Sequence, residues 1–114
     1  MKSLNDNRPK KQELDPKELL AAFNEQKEEA VLLDVRTPAE SAEINIDGHI
    51  AIDIQQAPIF MQKVAELDKN KTYFIYCRSG NRSGQACKFM ASQGFQHLYN
   101  LKGGMLAWMQ TDFE

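Results

Sequence analysis

Short apolar runs alternate with amphipathic stretches along this chain, and each change of period marks an element. Ala30-Val31-Leu32-Leu33 is a continuous apolar run that closes in Asp34-Val35-Arg36, the pattern of a strand buried on both faces. Thr72-Tyr73-Phe74-Ile75-Tyr76 is the clearest strand, rich in aromatic and β-branched residues. His97 to Leu101 reads as a last strand, and Ile50 to Ile54 as a strand of weaker alternation.

The stretches between them carry helix signals. Asp15 is an N-cap, Pro16 takes the first helical position, and Glu18 completes a capping box. Leu14 and Leu19 have the spacing of a hydrophobic staple, and Leu19, Leu20 and Phe23 form one stripe, so the pattern predicts a helix over 15–26. Thr37-Pro38 opens a short helix over 38–44. Pro58 opens another, in which Phe60, Met61, Val64, Ala65 and Leu67 keep a helical period; Phe60, Met61, Val64 and Leu67 are expected in the core. A polar break, 68–71, precedes the strongest strand. After it comes a polar loop, 78–82, and a helix over 83–93. Gly94 is placed as its left-handed terminator, with Phe95 folding back on Met90. Gly103-Gly104 leads into a last short helix carrying Trp108, which packs on the sheet. Strands alternating with helices predict an α/β fold: a central parallel sheet of about five strands with helices on both faces.

The 114 residues suit one domain, expected over 14–114, with the polar segment 1–13 mobile. Lys+Arg is 14 and Asp+Glu is 16, giving a net charge of −2, which speaks against a nucleic-acid or membrane-surface partner. No apolar run approaches the ~20 residues of a membrane span. The start, MKSLNDNRPKKQE, has no apolar core of a secretory signal, so a cytoplasmic protein with free thiols is expected. Two cysteines and two histidines are too few for a structural zinc site without carboxylates.

Chemistry concentrates where the strongest strand ends. In open parallel sheets, ligands bind beyond the carboxyl ends of strands. There the chain reads Cys77-Arg78-Ser79-Gly80-Asn81-Arg82-Ser83-Gly84 and turns into a helix. Gly80 lets the backbone curl so that successive N–H groups point inward, as in an anion-binding nest. The helix that follows aims its positive end at the same spot. Arg78 and Arg82 add charge. Each feature favours a thiolate, and in such settings cysteine pKa values fall from about 8.5 to roughly 3.5–7.5. A fall of two pH units favours the anion by about 2.7 kcal/mol. An isolated strand-end cysteine is ordinarily a packing residue. A plain turn, however, has no need of two arginines around a glycine.

Cys77-Arg-Ser-Gly-Asn-Arg-Ser resembles the active-site loop of rhodanese-like domains, specifically the single-domain thiosulfate sulfurtransferases. The resemblance spans about residues 15–110 and includes three further signatures. These are Leu33-Asp34-Val35-Arg36 with Pro38 and Glu40, Gly48-His49-Ile50, and Gly103-Gly104 followed by Trp108. It implies transfer of a sulfane sulfur from a small anionic donor such as thiosulfate to a thiophilic acceptor, with Cys77 carrying a persulfide. The amides of Arg78, Ser79, Gly80, Asn81, Arg82 and Ser83 would cradle the persulfide or the donor's oxygens, and Arg78 and Arg82 would place charge at the mouth. The acceptor would be cyanide, a small thiol, thioredoxin or a sulfur-carrier protein. No metal or organic cofactor is implied. The chain departs from the family pattern at Ser41, where an aromatic residue is common, and after Ile50, where a Pro-Gly-Ala-like turn is common.

Other readings fit less well. Phosphatases and arsenate reductases of this fold need five residues between cysteine and arginine; here four precede Arg82, which suits a pocket sized to a sulfur atom. A non-catalytic binding module needs no Cys77 in an intact basic loop, whereas a partner-directed sulfur carrier is a variant of the main reading. Asp34 and Arg36 read as a charged pair at a strand end, with Arg36 fixing a loop. His49 reads as a turn-stabilising residue. Cys87 lies about 6–8 Å along the helix axis, a poor disulfide partner for Cys77, and reads as packing.

Overall fold

A computed structural model describes residues 8–114 of the chain. Strand β4, Thr72–Tyr76, is buried along its whole length and lies at the middle of the sheet. Its side chains alternate between two cores. Tyr73 and Ile75, with Cys77 just past the strand, join Leu33, Phe60, Val64 and Met90 on one face. Phe74 and Tyr76 join Leu19, Leu32, Tyr99 and Met105 on the other. An apolar run without polar alternation is what burial on both faces requires.

The other strands are β1 (Glu13–Leu14), β2 (Ala30–Asp34), β3 (Ile50–Ala51) and β5 (His97–Leu101). They form a five-stranded sheet in the order β1-β5-β4-β2-β3, with every pairing parallel. The helices are α1 (Pro16–Gln26), α2 (Pro38–Glu43), α3 (Ala57–Ala65), α4 (Asn81–Ser92) and α5 (Gly104–Met109). The chain leaves β2 toward β3 on one side and leaves β4 toward β5 on the other. The crevice beyond the carboxyl ends of β2 and β4 is therefore the switch point where such sheets bind ligands.

The capping boxes at Asp15 and Thr37 are both formed, with Glu18 and Glu40 returning the bond to the cap backbone. Gly94 is left-handed at φ 96°, and the Phe95 amide donates to the Met90 carbonyl at 3.1 Å.

Four details differ from the sequence pattern. Met61 is exposed (51%), as is Ile59 (50%), because Phe60 and Val64 form the sheet-facing stripe of α3, with Leu67 packing on the same core just past its end. Helix α4 starts at Asn81, two residues early, since Gly80 at φ 103° turns the chain directly into the helix. The strand expected over 50–54 pairs only at Ile50–Ala51, although the amides of Ile52 and Ile54 still donate to the carbonyls of Asp34 and Val35. Finally, the sheet gains β1. Glu13–Leu14 pairs with Asn100–Leu101, and Tyr99 donates its hydroxyl to the Pro9 carbonyl at 2.6 Å. Of the segment expected to be mobile, residues 1–7 lie outside the described residues.

Candidate active site

Cys77 follows β4 directly and is 1% exposed. The loop bends back over its sulfur. The Gly80 amide donates to Sγ at 3.0 Å, and the Ser83 hydroxyl donates to it at 3.3 Å. Burial alone would raise this thiol's pKa. The Ser83 hydroxyl and the amides of Ser83, Gly80 and Ser79 outweigh burial and hold it below the ordinary value. The residue is thus a buried thiol faced by donors that favour its anion over what burial alone would allow.

The loop keeps that shape because three neighbours hold it from outside. Helix α5 donates its first amides to the loop's own carbonyls, Met105 to Cys77 at 2.9 Å and Leu106 to Arg78 at 3.0 Å. This close approach is why Gly104 has no side chain: a Cβ there would lie 2.5 Å from the Arg78 carbonyl carbon and oxygen. From β5, the Asn100 side-chain amide donates to the Gly80 carbonyl at 3.1 Å and to the Glu13 carboxylate at 3.0 Å. From α2, Glu40 accepts two bonds from Arg82, each 2.8 Å. That pair holds the Glu40 carboxyl down at about 2.

The two loop arginines therefore differ. Arg78 is exposed, and among the described residues its guanidinium has no hydrogen-bond or ion-pair partner. It borders a cleft of about 280 Å³ shared with Glu40, Ile44, Leu106 and Met109. Arg82 lies in the first turn of α4 with its charge cancelled by Glu40. Ser79 and Asn81 are exposed, and Ser83 is fully buried. The sequence reading did not pick out Glu40 as a site residue, nor Asn100 or Gly104. Glu40 and Asn100 act across the fold; Glu40 and the glycine pair stood out in the sequence only as signature positions.

The profile of the Rhodanese-like domain family matches residues 15–111 of the chain. The chain belongs to the rhodanese-like family. A sulfurtransferase of Allochromatium vinosum is 41% identical over 81 residues, 71% of this chain and 73% of that protein. A thiosulfate sulfurtransferase of Pseudomonas fluorescens is 36% identical over 96 residues, 84% of each chain. The crystal structure of a rhodanese-like domain protein from Staphylococcus aureus superposes with a TM-score of 0.73 at 28% identity, covering 86% of this chain and 91% of that one. This rhodanese-like domain thus has sulfurtransferases among its relatives. No helix among its described residues is long and apolar enough to cross a membrane.

The remaining features of the rhodanese-like pattern make structural contacts here. Arg36 grips Asp34 through Nε at 3.0 Å and a terminal nitrogen at 2.8 Å, then reaches the Ile44 carbonyl at 2.6 Å, so it fixes the end of α2. Ser41 stands at the position that is often aromatic, and its buried hydroxyl donates to Asp34 Oδ2 at 2.8 Å. The His49 ring nitrogen Nδ1 lies 2.9 Å from the Ile46 carbonyl and closes a turn. Cys77 and Cys87 are both free thiols. Burial, with the nearby Glu13 and Cys77 charges, pushes Cys87 up to about 12, so it is protonated at neutral pH.

Proposed function

We propose that this domain transfers a sulfane sulfur through a persulfide on Cys77. The observation that carries the reading is the pair of donors on Sγ, the Gly80 amide at 3.0 Å and the Ser83 hydroxyl at 3.3 Å. They stabilise an anionic sulfur without occupying it with a counter-charge, which leaves it nucleophilic. With thiosulfate as donor, the Cys77 thiolate attacks the outer sulfur, the S–S bond breaks, and sulfite leaves with the bonding pair. The product is a Cys77 persulfide anion. A thiophilic acceptor then takes the outer sulfur and returns the thiolate.

The acceptor is cyanide in an assay and a small thiol, thioredoxin or a sulfur-carrier protein in a cytoplasmic setting. Phosphoester chemistry is disfavoured because Arg82, which would have to grip the phosphoryl oxygens, is held by Glu40 at 2.8 Å.

The test is intact-mass measurement after incubation with thiosulfate and removal of excess donor. One added sulfur atom per chain is expected, released by cyanide as thiocyanate. Cys77→Ala removes the gain and Cys87→Ala retains it. A gain that follows Cys87, or an unlabelled wild type that hydrolyses phosphoesters, overturns the reading. Loading without thiocyanate release would make the domain a carrier rather than a turnover enzyme.

A further inference from the structure

The charges around Cys77 are not arranged as the sequence of the loop implies. Arg82 donates through both terminal nitrogens to the two Glu40 oxygens, each at 2.8 Å. Glu40 is fixed independently from its own helix, accepting from the Thr37 amide and hydroxyl at 3.1 Å each. The other charges that reach Arg82 are those of Cys77 and Asp53, both negative. Arg78 is then the one guanidinium of the loop whose charge is uncancelled among the described residues. The cleft beside it, about 280 Å³, is lined by Arg36, Glu40, Glu43, Ile44, Leu106 and Met109.

We propose that Glu40 is a specificity-determining residue: by neutralising Arg82 it disfavours a dianionic sulfur donor relative to an organic hydropersulfide, R–S–SH. The inference rests on the sulfur-transfer reading above. It follows from charge balance. Attack on thiosulfate gathers three negative charges, two on the donor and one on Cys77, against one free guanidinium and the loop's amide dipoles. Attack on a hydropersulfide gathers one. There the Cys77 thiolate takes the terminal sulfur with its proton, the donor's S–S bond breaks, and R–S⁻ leaves with the bonding pair. The products are Cys77–S–SH and a thiolate, with no oxidant or reductant required.

The experiment measures single-turnover rate constants for the one-sulfur mass gain on Cys77, with thiosulfate and with cysteine hydropersulfide as donors. The quantity read is the ratio of the two constants. Glu40→Gln keeps a side-chain acceptor for the helix cap but uncovers the Arg82 charge. Its ratio should shift toward thiosulfate by about tenfold, the low end of what one uncancelled charge a few ångströms away contributes at a partly wet site. Arg82→Met leaves the Glu40 charge bare and should shift the ratio the opposite way. The double variant, with neither charge, should return toward the wild-type ratio. As a second readout, far-ultraviolet thiolate absorbance should titrate at lower pH in Glu40→Gln than in wild type, because an unmasked guanidinium favours the anion.

Equal changes for both donors in every variant, or a ratio that moves the same way in Glu40→Gln and Arg82→Met, overturns the proposal and makes the pair purely structural. Should Glu40→Gln not fold, Arg82→Met and the double variant still decide, because the first should shift the ratio toward the hydropersulfide and the second should restore it. A wild type that no donor loads refutes the sulfur-transfer reading itself. A wild type that both donors load, with an unmoved ratio in the variants, refutes only the role of Glu40.

Discussion

Gly104→Ala should damage the site more than it damages the backbone where it sits, and Gly48→Ala supplies the control. Both glycines have positive φ, +60° at Gly104 and +88° at Gly48. Each replacement therefore carries a left-handed penalty of about 1–2 kcal/mol. Around Gly48 a new Cβ meets nothing within 4 Å, so that penalty is the whole effect. At Gly104 the Cβ would stand 2.5 Å from the Arg78 carbonyl carbon and oxygen and 2.6 Å from the Ser79 amide nitrogen. These are backbone atoms, so no rotamer change relieves the overlap and the loop must move off α5. That breaks the amide bonds of Met105 to Cys77 and of Leu106 to Arg78, now 2.9 and 3.0 Å. Each contributes about 1 kcal/mol, so the total loss for Gly104→Ala is about 3–4 kcal/mol. For a domain of this size that lowers Tm by roughly 10–20 °C, against about 5–10 °C for Gly48→Ala. The displaced loop also spreads the donors around Cys77, so the midpoint of its alkylation-rate profile against pH should rise. Thermal unfolding by circular dichroism and iodoacetamide kinetics read the two effects. If the two alanine variants lose the same Tm and keep the same alkylation midpoint, the close approach of α5 is not what shapes the loop.

Three further outcomes follow from the same geometry. Ser83→Ala removes the hydroxyl that donates to Cys77 Sγ at 3.3 Å, and the alkylation midpoint should rise by about one pH unit; an unmoved midpoint would assign the thiolate to the amides alone. Iodoacetamide at neutral pH should modify Cys77 and spare Cys87, whose thiol is pushed up to about 12; peptide mapping that finds both cysteines equally labelled contradicts this. Asp34→Asn leaves the Arg36 guanidinium, 3% exposed, without its counter-charge, at a cost of about 3–5 kcal/mol. Burial works to raise the Asp34 carboxyl, but bonds from Arg36 and Ser41 outweigh it and hold the pKa below the ordinary value. The stabilisation is therefore fully present above the unfolded value of about 3.9 and is lost as pH falls through the native one. Denaturant unfolding of wild type should weaken across that acid window, and Asp34→Asn should show a shallower decline.

What the sequence reveals about this domain is what is local. β4 reads as a strand because five adjacent residues are apolar or β-branched and must all be buried. α1 and α2 read as helices because a cap, a proline and a glutamate stand within four positions of one another. The loop from Cys77 to Ser83 reads as a site because nucleophile, glycine and helix start are consecutive. Signals fail where the determinant lies elsewhere in the chain. β1 is two residues long, and only its pairing with Asn100–Leu101 makes it a strand. Met61 matches a helical period as well as Phe60 does, and which of them faces the sheet depends on how α3 is rotated against β4 and α4. Arg82 looks like a free cation until the fold brings Glu40 to it from 42 positions away.

That last pairing changes the account of the site's electrostatics. A loop carrying two arginines suggests an anion held by formal charge. In the folded chain, Arg36 is matched by Asp34 and Arg82 by Glu40, and Arg78 is exposed to solvent. The groups that touch the sulfur are an amide and a hydroxyl. Such dipoles are fixed by the backbone and need no reorganisation when charge shifts in the reaction. In a persulfide the negative charge sits one S–S bond, about 2 Å, further out than in the thiolate. A guanidinium in contact with Sγ would favour the thiolate over the persulfide and resist that shift. A ring of amides spanning Ser79 to Ser83 can accommodate both positions of the charge. On this argument the clamps from α5, Asn100 and Glu40 matter because they hold the ring's curvature, and the ion pair at Arg82 keeps a mobile cation from competing with it.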